Sequence, residues 1–391
     1  MSCLISIGPN AWTAPWRNRQ QILSRLAGRG WPVVYTSGPI AGWDREAALW
    51  DGASLFPRVE EHDGVKCLFP GRVPPLKGRP RSYKERVLRF YARRLLAAAP
   101  PSRPRILYLF GPKHLALAGY IDYDLLVYHA YDKFSNASRE GESFSDNREK
   151  ELLAVADLVL ASSDPIADGL RQQGRRDVRV LPNGVDYTAY NTPSGQEPRD
   201  ICHIPRPRVG YFGRVNIKVD LALIDELAEV EPKFQWIIVG EIYEQVIHSK
   251  GYGELLERLK SRPNVHLLGY RPHTSIPAYV QAMDVLSMVY RQGEQDWWSA
   301  GYPLKMHEYL ATGKPVISTP LQTVQPFGHV IDIRDGGDEW IAGLRKAVNS
   351  GGVGTSDMRR RVALENTWDQ RIDLLERWLN ELGASLEGPV Q

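Results

Sequence analysis

Two short stretches of this 391-residue chain carry side chains of a type and spacing suited to a phosphorylated, hydroxyl-bearing ligand. The first is Pro303-Leu304-Lys305-Met306-His307-Glu308-Tyr309-Leu310-Ala311-Thr312-Gly313-Lys314-Pro315-Val316. A proline opens a short helix, predicted over 304–312, and Gly313 stops it before the strand Val316-Ile317-Ser318. At the helix start, the amide of Leu304 and the ammonium of Lys305 offer donors to a phosphate. Glu308, one turn on, can accept hydrogen bonds from two vicinal hydroxyls, as on a ribose. The competing reading is an amphipathic surface helix in which Lys305 and Glu308 pair only with each other. The second stretch is Gly213-Arg214-Val215-Asn216-Ile217-Lys218. Its glycine lets backbone approach a phosphate, while Arg214 and Lys218 offer a diphosphate two cations at a helix start. The plain alternative is a strand-to-helix turn with a solvated basic pair.

Residues of this kind work only if strands and helices hold them, and the chain supplies both in alternation. Brief, β-branched apolar runs at 4–8, 32–37, 105–111, 124–129, 157–163 and 178–182 read as buried strands. Helical patterns lie between most of them, for example over 17–30 and 164–173. A second series begins at 208–213 and continues at 235–240, 265–269, 284–289, 314–319 and 328–333, with helices over 219–229, 275–283 and 304–312. Two helical stretches, 357–365 and 368–382, close the chain. Between the series, residues 187–206 are rich in Pro, Thr and Ser and show no periodicity, which reads as a linker. The repeated strand–helix rhythm predicts an α/β class with parallel, doubly wound sheets in two domains. In such sheets ligands bind at the carboxyl ends of strands, where both stretches above fall.

Composition bounds the rest. A 43% hydrophobic and 24% charged chain is ordinary for a globular protein, and 391 residues suffice for two cores. Cys3, Cys67 and Cys202 lie far apart and fit a reducing compartment rather than a disulfide framework or a metal site. The first residues lack a secretory pattern, and no apolar run approaches the roughly 20 residues of a spanning helix. A cytoplasmic location is expected. Charge is uneven: residues 1–190 hold 27 Lys and Arg against 20 Asp and Glu, and residues 70–105 hold eleven against one, Glu85. The segment 82–99 is a basic amphipathic helix. Nucleic acid and a solvated face are alternatives, but the pattern suits an anionic membrane surface better, and no nucleic-acid partner is expected.

Tyr302 to Thr319 resembles the nucleotide-binding helix of glycosyltransferase family 4 and its GT-B relatives. Three further segments resemble the same family in the same order: Leu181-Pro182-Asn183-Gly184-Val185-Asp186, Tyr211-Phe212-Gly213-Arg214, and Asn366-Thr367-Trp368-Asp369-x-Arg371. The resemblance is good over the second half and loose over the first. It implies a GT-B fold, two Rossmann-like domains facing a cleft. Residues 1–190 would bind the acceptor, 191–206 would link, 207–367 would bind the nucleotide sugar, and 368–391 would pack back on the first domain.

The resemblance also implies roles. Arg214 and Lys218, with Gly213, Pro303 and Leu304, would bind the donor diphosphate, Lys305 would assist, Glu308 would hold the ribose hydroxyls, and backbone groups of Gly269-Tyr270-Arg271 would meet the base. Asp132, with His129 as second choice, would be the catalytic group after a first-domain strand; a helix-cap role for Asp132 is the alternative. Asn10, Trp12, Trp16 and Arg17 would shape the acceptor side, with a core role for Trp12 as the alternative. The family often has a second glutamate eight residues before the ribose glutamate; here that position is Ala300, with Glu294 out of register and Asp296-Trp297-Trp298-Ser299 in its place. The expected function is transfer of a sugar from a nucleoside-diphosphate sugar, with UDP the expected carrier, to a saccharide or lipid-linked saccharide in cell-surface polysaccharide biosynthesis. No cofactor or metal is implied, since no Asp-x-Asp pair follows a suitable strand. A sugar-nucleotide epimerase and a non-catalytic nucleotide-sugar-binding protein are the alternatives.

Overall fold

The apolar runs of the first half become strands β1 Cys3–Ile7, β2 Val33–Thr36, β3 Arg58–His62, β4 Val65–Phe69, β5 Arg105–Leu109, β6 Leu125–Ala130, β7 Leu158–Ala161 and β8 Val178–Val180. Helices α1 Asn18–Gly28, α2 Arg81–Ala98, α3 Leu115–Ala118, α4 Ser145–Val155 and α5 Asp164–Gln172 lie among them. A computed structural model describes residues 2–40, 53–74, 79–134, 145–192, 195–243, 251–293 and 297–386. Packing separates two units, Met1–Pro182 with Arg371–Gln391, and Asn183–Gln370.

In the first unit the sheet order is β3-β4-β2-β1-β5-β6-β7-β8. Every pairing is parallel except β3 with β4, so the purely parallel sheet expected from the sequence is corrected to a mixed one. The β3–β4 hairpin turns at Asp63 and Gly64, both with positive φ (52° and 76°), the Asp-Gly geometry that matches the twist of the paired strands. Its outer strand, Arg-Val-Glu-Glu-His, is too polar to register as a buried run. The chain re-enters this unit at Arg371, within helix α13 (Trp368–Ala384). There Arg29 pairs with Asp373 and Glu376, both at 2.6 Å, and the Trp31 indole donates to Glu376 at 2.7 Å.

The second unit holds α6 Tyr187–Asn191, β9 Arg208–Phe212, α7 Leu221–Val230, β10 Gln235–Val239, α8 Tyr252–Ser261, β11 Val265–Gly269, α9 Ile276–Gln281, β12 Val285–Met288, α10 Leu304–Ala311, β13 Val316–Ser318, β14 Asp332–Ile333, α11 Gly337–Ser350 and α12 Ser356–Leu364. Its parallel sheet runs β11-β10-β9-β12-β13-β14. The order reverses beside β9, which puts the crevice of a doubly wound sheet at the carboxyl end of β9, directly before Gly213.

The segment expected as a linker is instead part of this unit. Tyr190, Ile201 and Ile204 are buried in one cluster with Phe212, Tyr279, Met283 and Tyr309. Buried Arg208 donates to the Ile204 carbonyl through Nε (2.9 Å) and Nη2 (2.6 Å) and pairs with Glu197, while Arg206 pairs with Asp284. Three apolar side chains and these ion pairs fix a stretch that has no periodicity to announce it. Among the described residues no helix is long and apolar enough to cross a membrane.

Candidate functional site

The site is built where β9 and β10 end. Gly213 has φ +141° and its amide donates to the Val239 carbonyl at 2.9 Å. Gly240, φ +156°, lies so close that a Cβ there would stand 1.9 Å from the Gly213 carbonyl oxygen. Two glycines therefore let the two strand ends interlock, and any side chain at 240 would push the Gly213 loop away.

Gly213 also makes room for Lys305: a Cβ at 213 would come within 2.9 Å of the Lys305 Nζ. That ammonium lies 3.6 Å from the Tyr211 ring centroid and 5.5 Å from that of Tyr290, a cation held between aromatic faces. Burial pushes its pKa down to about 7; Glu308 opposes the shift and Lys218 adds to it. Lys218 thus adds positive potential at Lys305. Its loop is ordered by the Asn216 carboxamide, which accepts from the Lys218 amide at 3.1 Å.

Glu308 follows Lys305 by almost one turn of α10. Burial raises its pKa to about 7, against the Tyr190 hydrogen bond and the Lys305 charge, which both lower it. The N-terminus of α10 is pinned by Asn183, whose Nδ2 donates to the Tyr302 carbonyl at 2.7 Å, just before buried Pro303 and half-buried Leu304. The Tyr309 hydroxyl accepts from the Phe212 amide at 2.9 Å, locking the helix to β9. A carboxylate and an ammonium are so presented side by side, each poised to change protonation near neutrality.

The other expected residues divide. Arg214 is next to Gly213, but its guanidinium faces Glu241 (3.3 Å) and lies 5.0 Å over the Tyr243 ring. Arg271 is committed to structure: its Nη2 pairs with Asp200 at 2.8 Å, its Nε donates to the Tyr279 hydroxyl at 3.0 Å, and its Nη1 donates to the Leu268 carbonyl at 2.7 Å. Its side chain therefore serves the fold, which leaves the backbone of 269–271 as the part expected to meet a base, and Tyr270 stands exposed beside it. Ala300 is buried, and Trp298, 8% exposed, donates from its indole to the Arg291 carbonyl at 3.2 Å, a packing role rather than an open platform. Glu294, Asp296 and the Trp297 side chain lie outside the described residues.

In the first unit, Asp132 is half-buried just beyond β6 and accepts from the Lys133 amide at 3.0 Å. His129 lies inside β6, 1% exposed, with Nδ1 2.8 Å from the Tyr108 hydroxyl and burial pushing its pKa down to about 3. The second choice for the catalytic group is thus placed inside the core as a neutral imidazole, while Asp132 stands nearer the surface. Trp12, 3% exposed, donates to Asp63 at 3.1 Å and packs edge-on to Tyr35 at 5.2 Å, which likewise makes it core. The Asn10 carbonyl accepts from the Tyr35 hydroxyl at 2.5 Å, the Arg17 amide donates to Gln20 at 3.1 Å, and Trp16 is half-buried.

Tyr190, Asn183, Tyr211 and Tyr290 escape a sequence reading. Asn183 and Tyr211 lie in motifs named above, but none of the four has a spacing that ties it to Glu308 or Lys305. Tyr190→Phe is expected to weaken nucleotide binding about 5-fold, the worth of one hydrogen bond to a carboxylate. Because that bond lowers the Glu308 pKa, its loss should also move the acid limb of binding to higher pH. Titration calorimetry across pH checks both; unchanged affinity and unchanged pH profile would remove Tyr190 from the site.

Comparison with known proteins finds similarity to glycosyltransferases in sequence and in fold. The family model described as glycosyl transferases group 1 matches residues 206–346. TuaH of Bacillus subtilis (strain 168), a glycosyltransferase ascribed to teichuronic acid biosynthesis, is 28% identical over 291 residues, 70% of this chain and 71% of that protein. The crystal structure of Anabaena Alr3699/HepE in complex with UDP and glucose superposes with a TM-score of 0.68 at 17% identity, covering 96% of this chain and 99% of that one. Sucrose-phosphate synthase (tll1590) from Thermosynechococcus elongatus gives 0.71 at 16% identity, covering 98% and 100%.

Proposed function

We propose that this chain, whose residues 206–346 match the group 1 glycosyl transferase model and whose fold is that of HepE and sucrose-phosphate synthase, moves a sugar from UDP to the hydroxyl of a saccharide or lipid-linked saccharide during cell-surface polysaccharide assembly. The observation that carries the reading is the Lys305–Glu308 pair at the start of α10, backed by Gly213 and the charge of Lys218. In this reading Glu308 takes the ribose hydroxyls and Lys305 the diphosphate. Lys218 and Arg214, the latter turning from Glu241, share the leaving-group charge without a metal ion. Support for UDP comes from the HepE complex, and support for the polymer from TuaH. Three widely spaced free cysteines suit action on the cytoplasmic side.

The test is thermal stabilisation by a panel of nucleotide sugars. A donor at about 100 times its Kd adds roughly 2.7 kcal/mol to the folded state, a shift of several degrees. A UDP-sugar should produce it, and release of UDP should then depend on a saccharide acceptor. No stabilisation by any nucleotide sugar would sink the reading.

A further inference from the structure

Exposed apolar side chains in the first unit are gathered rather than scattered. Phe56 (64% exposed), Leu55 (59%), Val59, Val73 and Phe90 stand out, while Val155 and Leu386 are the others among the described residues of this unit. Hydrogen bonds bring most of them onto one surface. The Arg72 and Val73 amides donate to the Ser54 and Leu55 carbonyls at 2.9 and 3.0 Å, so 54–57 and 71–73 run as a paired strap. Gly71 is pressed on the strap, where a Cβ would stand 2.5 Å from the Phe56 carbonyl carbon, and its amide donates to the Tyr91 hydroxyl of α2 at 3.2 Å. Arg94, also on α2, donates to the Pro57 carbonyl at 2.8 Å, and its guanidinium lies 6.0 Å from the Phe90 ring. Strap and helix therefore form one patch.

On the helix side of the patch the charge is one-sided; beside the strap, β3 carries Glu61 and Glu60, the latter paired with Arg58 at 2.8 Å. Helix α2 buries Val87, Tyr91, Ala92 and Leu95 and leaves Arg86, Phe90, Arg93 and Arg94 exposed. Arg86, Arg93 and Arg94 sit four before, three after and four after Phe90, so an aromatic ring is ringed by cations on the helix surface. Glu85, the single acid of 70–105, is taken up by Arg81 at 3.0 Å.

We propose that the strap and the outer face of α2 dock on an anionic lipid bilayer, with Leu55 and Phe56 at the headgroup boundary and Arg86, Arg93 and Arg94 on lipid phosphates. A contiguous apolar patch rimmed by cations is what such a surface requires. A nucleic acid would use the arginines but gain nothing from Leu55 and Val73. A second copy would set this positive face against itself. The proposal deepens the lipid-linked reading of the acceptor and does not depend on the identity of the donor.

The test is sedimentation of the full chain with vesicles of phosphatidylcholine alone or mixed with phosphatidylglycerol. Binding should require phosphatidylglycerol and fall with salt. Leu55→Ser/Phe56→Ser on the strap and Arg86→Gln/Arg93→Gln on the helix should each weaken it about 10-fold or more, while UDP-induced thermal stabilisation is unchanged in both. Failure to sediment with phosphatidylglycerol vesicles overturns the proposal, as does equal sedimentation of wild type and both double variants. A donor shift lost without loss of vesicle binding would strike the donor reading and leave this one standing.

Discussion

Lys305→Met is expected to weaken UDP binding by about 30-fold at neutral pH, the worth of a charge-assisted hydrogen bond to a phosphate. It should also erase the alkaline limb of the binding profile. In the protein alone, burial holds the Lys305 pKa down at about 7. A diphosphate beside it favours the ammonium, so the bound state grips this proton harder than the free one. Binding then takes up a proton above about pH 7, and affinity falls by up to tenfold per pH unit until the pKa of the complex is passed. Glu308 supplies the opposite limb. Its pKa is raised to about 7, and ribose hydroxyls donate best to the carboxylate, so binding releases a proton below that pH and weakens as pH falls. Affinity for UDP should therefore peak near neutrality, with Lys305→Met removing one side and Glu308→Gln the other. Titration calorimetry between acidic and alkaline pH measures this; a flat profile in the wild-type protein would contradict it.

The second large effect is expected at Asp132. Asp132→Asn should lower kcat by about 10²- to 10⁴-fold, the usual contribution of a positioned proton acceptor, while the Kd for UDP stays within a factor of two or so. His129→Phe separates the alternatives. It removes the partner of the Tyr108 hydroxyl inside the core, so it should cost about 1–3 kcal/mol of stability with kcat little changed in the folded fraction. Steady-state kinetics paired with thermal denaturation decides: full turnover in Asp132→Asn, or lost turnover with intact stability in His129→Phe, would reverse the assignment.

Much of this architecture is legible in the chain because its signals are local. Buried parallel strands are brief runs of Val, Ile and Leu, and α10 is bracketed by Pro303 and by Gly313, φ +76°, where a Cβ would meet the Ser356 hydroxyl at 2.3 Å. The Lys305–Glu308 pair follows from helical spacing alone. What was not legible depends on contacts between distant segments. Nothing local in 187–206 says that Ile201 and Ile204 are buried, or that Tyr190 reaches Glu308. The hairpin β3–β4 did carry a readable Asp63-Gly64 turn, but its polar outer strand hid it. The position of Arg271 after a strand says nothing of what its side chain does; its bonds to Asp200 and Tyr279 show it serving the fold.

The membership of 183–206 in the second unit has a consequence for recombination between related enzymes. A hybrid joined at the apparent interdomain break, near residue 207, would inherit Glu308 from one parent and Tyr190, Asn183 and Ile201 from the other. The carboxylate would then depend on a foreign hydroxyl, and the helix start on a foreign carboxamide. A crossover placed before Asn183 carries these partners over together. Modular exchange of the first unit thus has its seam some two dozen residues upstream of where composition alone would put it.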